Sequence, residues 1–150
     1  MKLRVPPPLI VVAGALCAWV AAHAWPAATL LLPGQRSLGA AMIVAGAVAN
    51  VAPKLHFRRA GTTVNPLHPQ RASALVQSGL HRYSRNPMYV GHALILLGWL
   101  LCLGHPAAGL SLALYLLYVD RVQIPSEEEA LRERFGADYA GYCRRVRRWL

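Results

Sequence analysis

The chain has 150 residues, 55% of them hydrophobic and 15% charged, with a formal net charge of +10 at pH 7. That length bounds it to one domain, and the charge-free runs at 9–32, 37–53 and 87–119 place it in the membrane class rather than the soluble one. No nucleic-acid motif accompanies the positive charge, which fits attraction to anionic lipid headgroups instead.

Residues 9–32 predict a first spanning helix, since about 20 apolar residues cross a bilayer, kinked or ended near Pro26. Lys2, Arg4 and Ala22-His23-Ala24 resemble a secretory signal, but the apolar run continues to Leu32 and the Pro6-Pro7-Pro8 entry is atypical, so the span is expected to be retained. His23 and Trp25 then sit at the far interface. The second span, about 37–53, carries Gly39, Ala40, Ala41, Ala45, Gly46, Ala47 and Ala49, small residues that let membrane helices approach closely.

A long loop follows at 54–86, its glycines and prolines from Gly61 to Pro69 arguing for a defined, turn-rich path. His56 and His68 lack metal-ligand spacing and read as interfacial, and Leu75-Val76 reads as an apolar patch dipping towards the bilayer. The run from 87 to 119 is too long for one span and is broken at Gly104-His105-Pro106, giving helices at about 87–104 and 106–124. The expected architecture is an all-α integral membrane fold over residues 1–150, with four spans and a tail at 125–150.

With four spans, the N-terminus, the 54–86 loop and the tail share one side, and of the 16 Lys and Arg residues only Arg36 lies on the other. The positive-inside rule puts both termini in the cytoplasm. The short, Arg- and Ala-rich chain suggests a bacterial inner membrane. Cys17, Cys102 and Cys143 show neither CxxC nor paired spacing, so neither a disulfide framework nor a metal site is indicated.

All six acidic residues, Asp120, Glu127, Glu128, Glu129, Glu133 and Asp138, fall at the end of the fourth span and in the tail. Ser126 with Glu129 predicts a capping box opening a helix, which Phe135-Gly136 ends or bends. Tyr139, Tyr142, Val146 and Trp149 recur against Arg144, Arg145, Arg147 and Arg148, a pattern suited to a helix on the membrane surface.

The chemistry concentrates at Ser78–Gly91. Asn86 is a favoured N-cap and Pro87 is tolerated at the first helical position. A helix opening there, with Arg82 and Arg85 beside it, offers free backbone N–H groups and a positive dipole end to an anion. An ordinary basic membrane boundary reads the same way. The third and fourth helices form a hairpin, so the segment after residue 120 returns close to Asn86. Cationic groups on one side and the glutamates on the other suit a zwitterionic ligand. His92, an ionisable group inside a span, is a further functional candidate.

The segment Gly79-x5-Arg85-Asn86-Pro87-Met88-Tyr89-x-Gly91, followed by Glu127-Glu128-x-x-Leu131-x3-Phe135-Gly136-x2-Tyr139-x2-Tyr142, resembles the isoprenylcysteine carboxyl methyltransferase family. The related phospholipid N-methyltransferases share the Asn-Pro-Met-Tyr and Glu-Glu elements. The likeness covers roughly residues 57–150. It implies an integral-membrane enzyme using S-adenosylmethionine and a lipophilic acceptor, bound at the cytoplasmic face.

Carried over from the family, the cofactor contacts are Leu75, Val76, His81, Asn86, Pro87, Met88, Tyr89, Glu127 and Glu128. Arg85, Tyr89 and Glu128 are the expected catalytic residues, and Arg121, Gln123 and His92 the expected substrate contacts. The carboxyl methyltransferases usually carry His where Asn86 stands, Tyr where His81 stands, and Arg where Gln123 stands. The first difference leans towards the phospholipid branch. No metal is implied, no nucleic-acid partner is expected, and the small-residue second helix permits a homodimer. Two other classes compete: a non-catalytic membrane protein binding lipid or a partner through its basic face, and a redox enzyme, for which no nicotinamide or haem signature exists.

Overall fold

A computed structural model describes residues 5–59 and 74–150, and the described residues are helical without strands. Helix α1 spans Pro7–Ala24, α2 Gln35–Arg59, α3 Pro87–Leu103, α4 Pro106–Tyr118 and α5 Ile124–Arg145. By length and composition three helical stretches are apolar enough to cross a membrane: Pro7–Ala24, Gln35–Leu55 and the continuous helix that begins at Pro106. The equally apolar α3 has 17 residues, about 25 Å at 1.5 Å per residue. Leu9, Val12, Leu16 and Val20 on α1, Val44, Val48 and Val51 on α2, and Leu110, Leu114 and Leu117 on α4 are all exposed. Apolar stripes of this length, pointing outward at helical spacing, belong to an integral membrane protein whose outer surface meets lipid.

The small residues of α2 do what their size allows. A Cβ on Gly46 would lie 2.5 Å from the Gly91 carbonyl, and one on Gly39 would lie 2.6 Å from that of Gly98. The two glycines of α2 therefore oppose the two of α3, at the same seven-residue spacing, and the backbones touch. On the other flank, Trp99 donates from Nε1 to the Ala15 carbonyl at 3.0 Å and Ser111 donates to the Gly14 carbonyl at 2.9 Å, joining α1 to α3 and α4. At one end of the bundle Leu30 N–H bonds the Gly104 carbonyl at 2.9 Å. At the other, Val5 N–H bonds the Tyr118 hydroxyl at 3.1 Å. The start of α1, the start of α3 and the end of α4 thus share one end.

Several local expectations need correction. The second helix runs on through Pro53 to Arg59 rather than stopping at 53. The fourth does not stop at 124: a π-helical turn at Val119–Gln123 carries it into α5. Pro125 explains the turn, because it lacks the N–H that would bond residue 121 and its ring crowds that carbonyl. Ser126 consequently lies inside a helix and donates back to the Gln123 carbonyl at 2.9 Å, so no capping box forms. Gly136, with φ of 47°, bends α5 as the sequence predicts.

The helix ends at Arg145, so Val146 to Trp149 do not continue the tail's amphipathic pattern as a helix. Leu75 packs against the buried cluster of Tyr139, Tyr142 and Val146 on the tail. The expected path from Gly61 to Pro69, with His68, and the side chain of His56 lie outside what is described.

Candidate active site

Pro87 starts α3 at its first position, and Asn86 stands in the N-cap place. The Asn86 side chain does not cap the helix. It donates instead to the Arg148 carbonyl at 3.0 Å. Beyond the helix, Val146 is extended, and the residues that follow it lie across this corner. Arg85 N–H bonds the Arg147 carbonyl at 2.9 Å and the Ser84 hydroxyl reaches the Arg148 carbonyl at 3.4 Å. The first turn of α3 is thereby left without a side-chain cap, and a helix start of that kind attracts anions.

Glu128 is 3% exposed. Arg85 donates to it at 2.8 Å and Arg148 at 2.8 Å, with Arg132 at 3.5 Å. A buried carboxylate needs such partners, and the hydrogen bond from Arg148 to Glu128 pushes the Arg148 guanidinium above its usual range. Arg85 also donates through Nη1 to the Cys143 and Val146 carbonyls, both at 3.2 Å. Its Nε is buried without a partner among the described residues.

Glu127 sits in a different environment, half-buried, and accepts at Oε1 from the Tyr89 hydroxyl at 2.5 Å and from Gln123 at 2.6 Å. The two adjacent glutamates therefore face two groups: Glu128 the arginines, Glu127 a Tyr–Gln pair.

The other sequence-singled residues divide. His81 is buried beneath the tail, its carbonyl accepting from Tyr142 Oη at 2.7 Å. Burial pushes the Tyr142 hydroxyl up to about 12 and raises Tyr139 as well. Leu75 and Val76 are partly buried. Arg121 is exposed, 4.0 Å from Asp120, while Gln123 points inward. His92 is buried between Asn50 and Tyr115, 2.8 Å from each.

Reading the sequence missed Arg148, Asp120 and Trp149. Arg148 lay in a run of arginines with nothing to single it out. Asp120 accepts from Trp149 Nε1 at 3.0 Å and lies 3.4 Å from Arg148. The sequence reading also missed Asn50, whose signal was visible: a carboxamide in an otherwise apolar run.

Residues 35–138 match the family described as phospholipid methyltransferase. A Haemophilus influenzae protein of uncharacterized function is 43% identical over 63 residues, which is 42% of this chain and all of that protein. A probable protein-S-isoprenylcysteine O-methyltransferase from indica rice is 28% identical over 109 residues, 73% of this chain and 57% of the relative. The Arabidopsis thaliana protein-S-isoprenylcysteine O-methyltransferase A is 26% identical over 123 residues, 78% of this chain and 62% of the relative. The chain thus spans about three fifths of the plant proteins it matches. No solved structure matches it significantly. The match takes in the Asn86-Pro87-Met88-Tyr89 and Glu127-Glu128 elements and most of the chain, and the fold brings those elements together at one corner of a membrane bundle: the chain belongs to the phospholipid methyltransferase family, a family of membrane methyltransferases.

Proposed function

We propose that this protein transfers a methyl group from S-adenosylmethionine to a lipophilic acceptor that enters from the bilayer, at the cytoplasmic face. The observation that carries the reading is the joining of the two motifs: Arg85 to Glu128 at 2.8 Å and Tyr89 to Glu127 at 2.5 Å. The positive-inside asymmetry of the sequence supports the assignment of that end to the cytoplasm.

The residues present fit the cofactor. The uncapped first turn of α3 and the unpartnered Arg85 Nε suit its carboxylate. Glu127 suits its ammonium or ribose hydroxyls. Pro87 and Met88 line the helix start, with Leu75, Val76 and His81 on the neighbouring segment beneath the tail. Glu128 contributes by holding Arg85 and Arg148 in place. When bound, the cofactor supplies a methyl group on a sulfonium, whose sulfur takes the bonding pair as the acceptor's lone pair attacks the carbon. The protein's own part is positioning and exclusion of water, which needs no nucleophilic side chain. Tyr89, fixed by Glu127, stands at the buried edge of the corner and orients what binds there. A carboxylate acceptor releases no proton in this step, whereas an amine acceptor releases one.

The reading is tested by incubating purified protein with methyl-labelled S-adenosylmethionine and lipid extract, then counting label in the organic phase. Label should appear with the parent and fall at least tenfold with Glu127→Gln. Absence of transfer to every acceptor class offered, by protein that is folded, counts against it.

A further inference from the structure

Within the bundle, one to two turns in from the Asn86 corner, four polar side chains form a chain. Lys54 Nζ donates to Asn50 Oδ1 at 2.6 Å. Asn50 Nδ2 lies 3.2 Å from the Met88 carbonyl and 2.8 Å from His92 Nε2. His92 Nδ1 lies 2.8 Å from the Tyr115 hydroxyl.

The direction of every bond follows from the ends. Lys54 has only donors, and the Met88 carbonyl only accepts, so the Asn50 amide is fixed with its oxygen towards Lys54 and its NH2 towards Met88 and His92. Flipping it would set its NH2 against an ammonium and its oxygen against a carbonyl. His92 Nε2 must then accept, which leaves the neutral ring's proton on Nδ1, donated to the Tyr115 oxygen. Each bond points inward from the cation, and bonds aligned in this way polarise one another.

The last donor in the series is the Tyr115 O–H. Tyr115 is 0% exposed, and the only hydrogen bond at its hydroxyl among the described residues is the one it receives from His92. A buried hydroxyl proton with nothing to receive it is disfavoured, more so away from water. The rings of Tyr89 and Tyr115 have centroids 6.3 Å and 5.8 Å from that of His92 and belong to one buried cluster, so this donor is linked through Tyr89 to the corner that holds Glu127.

We propose that Tyr115 is a specificity-determining residue: locked as a donor by Lys54, Asn50 and His92, its hydroxyl binds an oxygen of the acceptor's head group. This rests on the methyl-transfer reading above. The matching chemistry is a carboxylate or phosphate oxygen. A group offering only N–H donors does not meet it.

The experiment is a binding titration of the full-length protein in detergent with two probes, N-acetyl-S-farnesylcysteine for a carboxylate and phosphatidylethanolamine for a phosphate, beside S-adenosylmethionine. Tyr115→Phe removes the hydroxyl alone. It should weaken at least one probe fivefold or more and leave S-adenosylmethionine binding within twofold; the probe that responds names the oxygen. Lys54→Met, at the outer end of the chain, should weaken the same probe in the same direction, and its partly exposed position guards against misfolding as the cause. In 15N spectra of histidine-labelled protein, the signal lost in His92→Gln should be that of a neutral ring protonated at Nδ1.

A loss below fivefold for both probes, binding of neither by the parent, or a His92 ring protonated at Nε2 overturns the assignment. Failure of the parent to bind S-adenosylmethionine defeats the methyl-transfer reading instead. Unchanged probe binding with cofactor binding intact defeats the role of Tyr115 alone.

Discussion

Glu128 is 3% exposed and joins Arg85 to Arg148, so Glu128→Gln leaves two guanidiniums short of a counter-charge. Removing one partner of a buried pair costs about 3–5 kcal/mol. The 35% exposure of the Arg148 side chain lets water offset part of that, and we expect a loss of about 2–3 kcal/mol, read as a fall in thermal midpoint in detergent. An unchanged midpoint would remove Glu128 from its structural place. Glu127→Gln should leave that midpoint nearly unmoved, because the Tyr89 and Gln123 donors are neutral and a glutamine oxygen can still accept from both. Glu127 is therefore the cleaner probe of ligand binding.

Tyr142 adds a pH dependence. Its pKa rises from 10.0 to about 12 on folding, so the folded state favours the protonated phenol. The corresponding stability is fully present below pH 10 and lost as pH rises towards 12. Midpoints recorded from pH 8 to 12 should fall across that window, less steeply in Tyr142→Phe. The sequence marked Tyr142 as one member of an aromatic stripe and as the last residue of the second motif, with no partner for its hydroxyl. Its bond to the His81 carbonyl depends on a return of the chain that spacing alone does not specify.

Among the elements, the α2–α3 contact is the least tolerant. A Cβ at Gly91 meets the Gly46 carbonyl at 2.6 Å, a backbone atom that cannot swing aside. Gly91→Val should therefore cost more than the about 1–3 kcal/mol of ordinary overpacking and is expected to prevent accumulation of folded protein. At Gly109 the nearest atoms belong to Leu100, at 3.8 Å. Gly109→Ala should be neutral or stabilising by up to about 1 kcal/mol, through helix propensity. Equal effects at the two sites, measured by thermal midpoint and yield, would contradict the close approach of the backbones.

The apolar runs made the helices legible, and Gly39 and Gly46 announced a close contact without naming its partner. What the sequence hid were the helix ends. The fourth span read as ending at 124, ahead of a capping box at Ser126, whereas a π-helical turn carries the helix on through Pro125. Arg147, Arg148 and Trp149 read as one more helical turn, because their periodicity continues that of α5. Their backbone carbonyls and side chains instead bind Ser84, Arg85, Asn86 and Asp120, a tertiary gain that overrides local propensity.

At the scale of the whole molecule, the fold is a device for bringing two distant segments to one end of a membrane bundle. The α3–α4 hairpin sends the chain out and back, and the π-helical turn then carries α5 over the start of α3. Asn86 and Glu127 were legible as a pair because hairpin topology follows from the break at Gly104-His105-Pro106. The strap at 146–150 and the inward chain from Lys54 were not legible as units, since the first rests on backbone carbonyls meeting another element and the second on side-chain geometry between helices.

The central claim is that this corner binds S-adenosylmethionine. Calorimetric titration of the detergent-purified protein tests it most directly, beside Asn86→Ala and Glu127→Gln. The account predicts saturable binding by the parent, weakened tenfold or more in each variant while both remain folded and monodisperse. A folded parent that takes up no S-adenosylmethionine would contradict it.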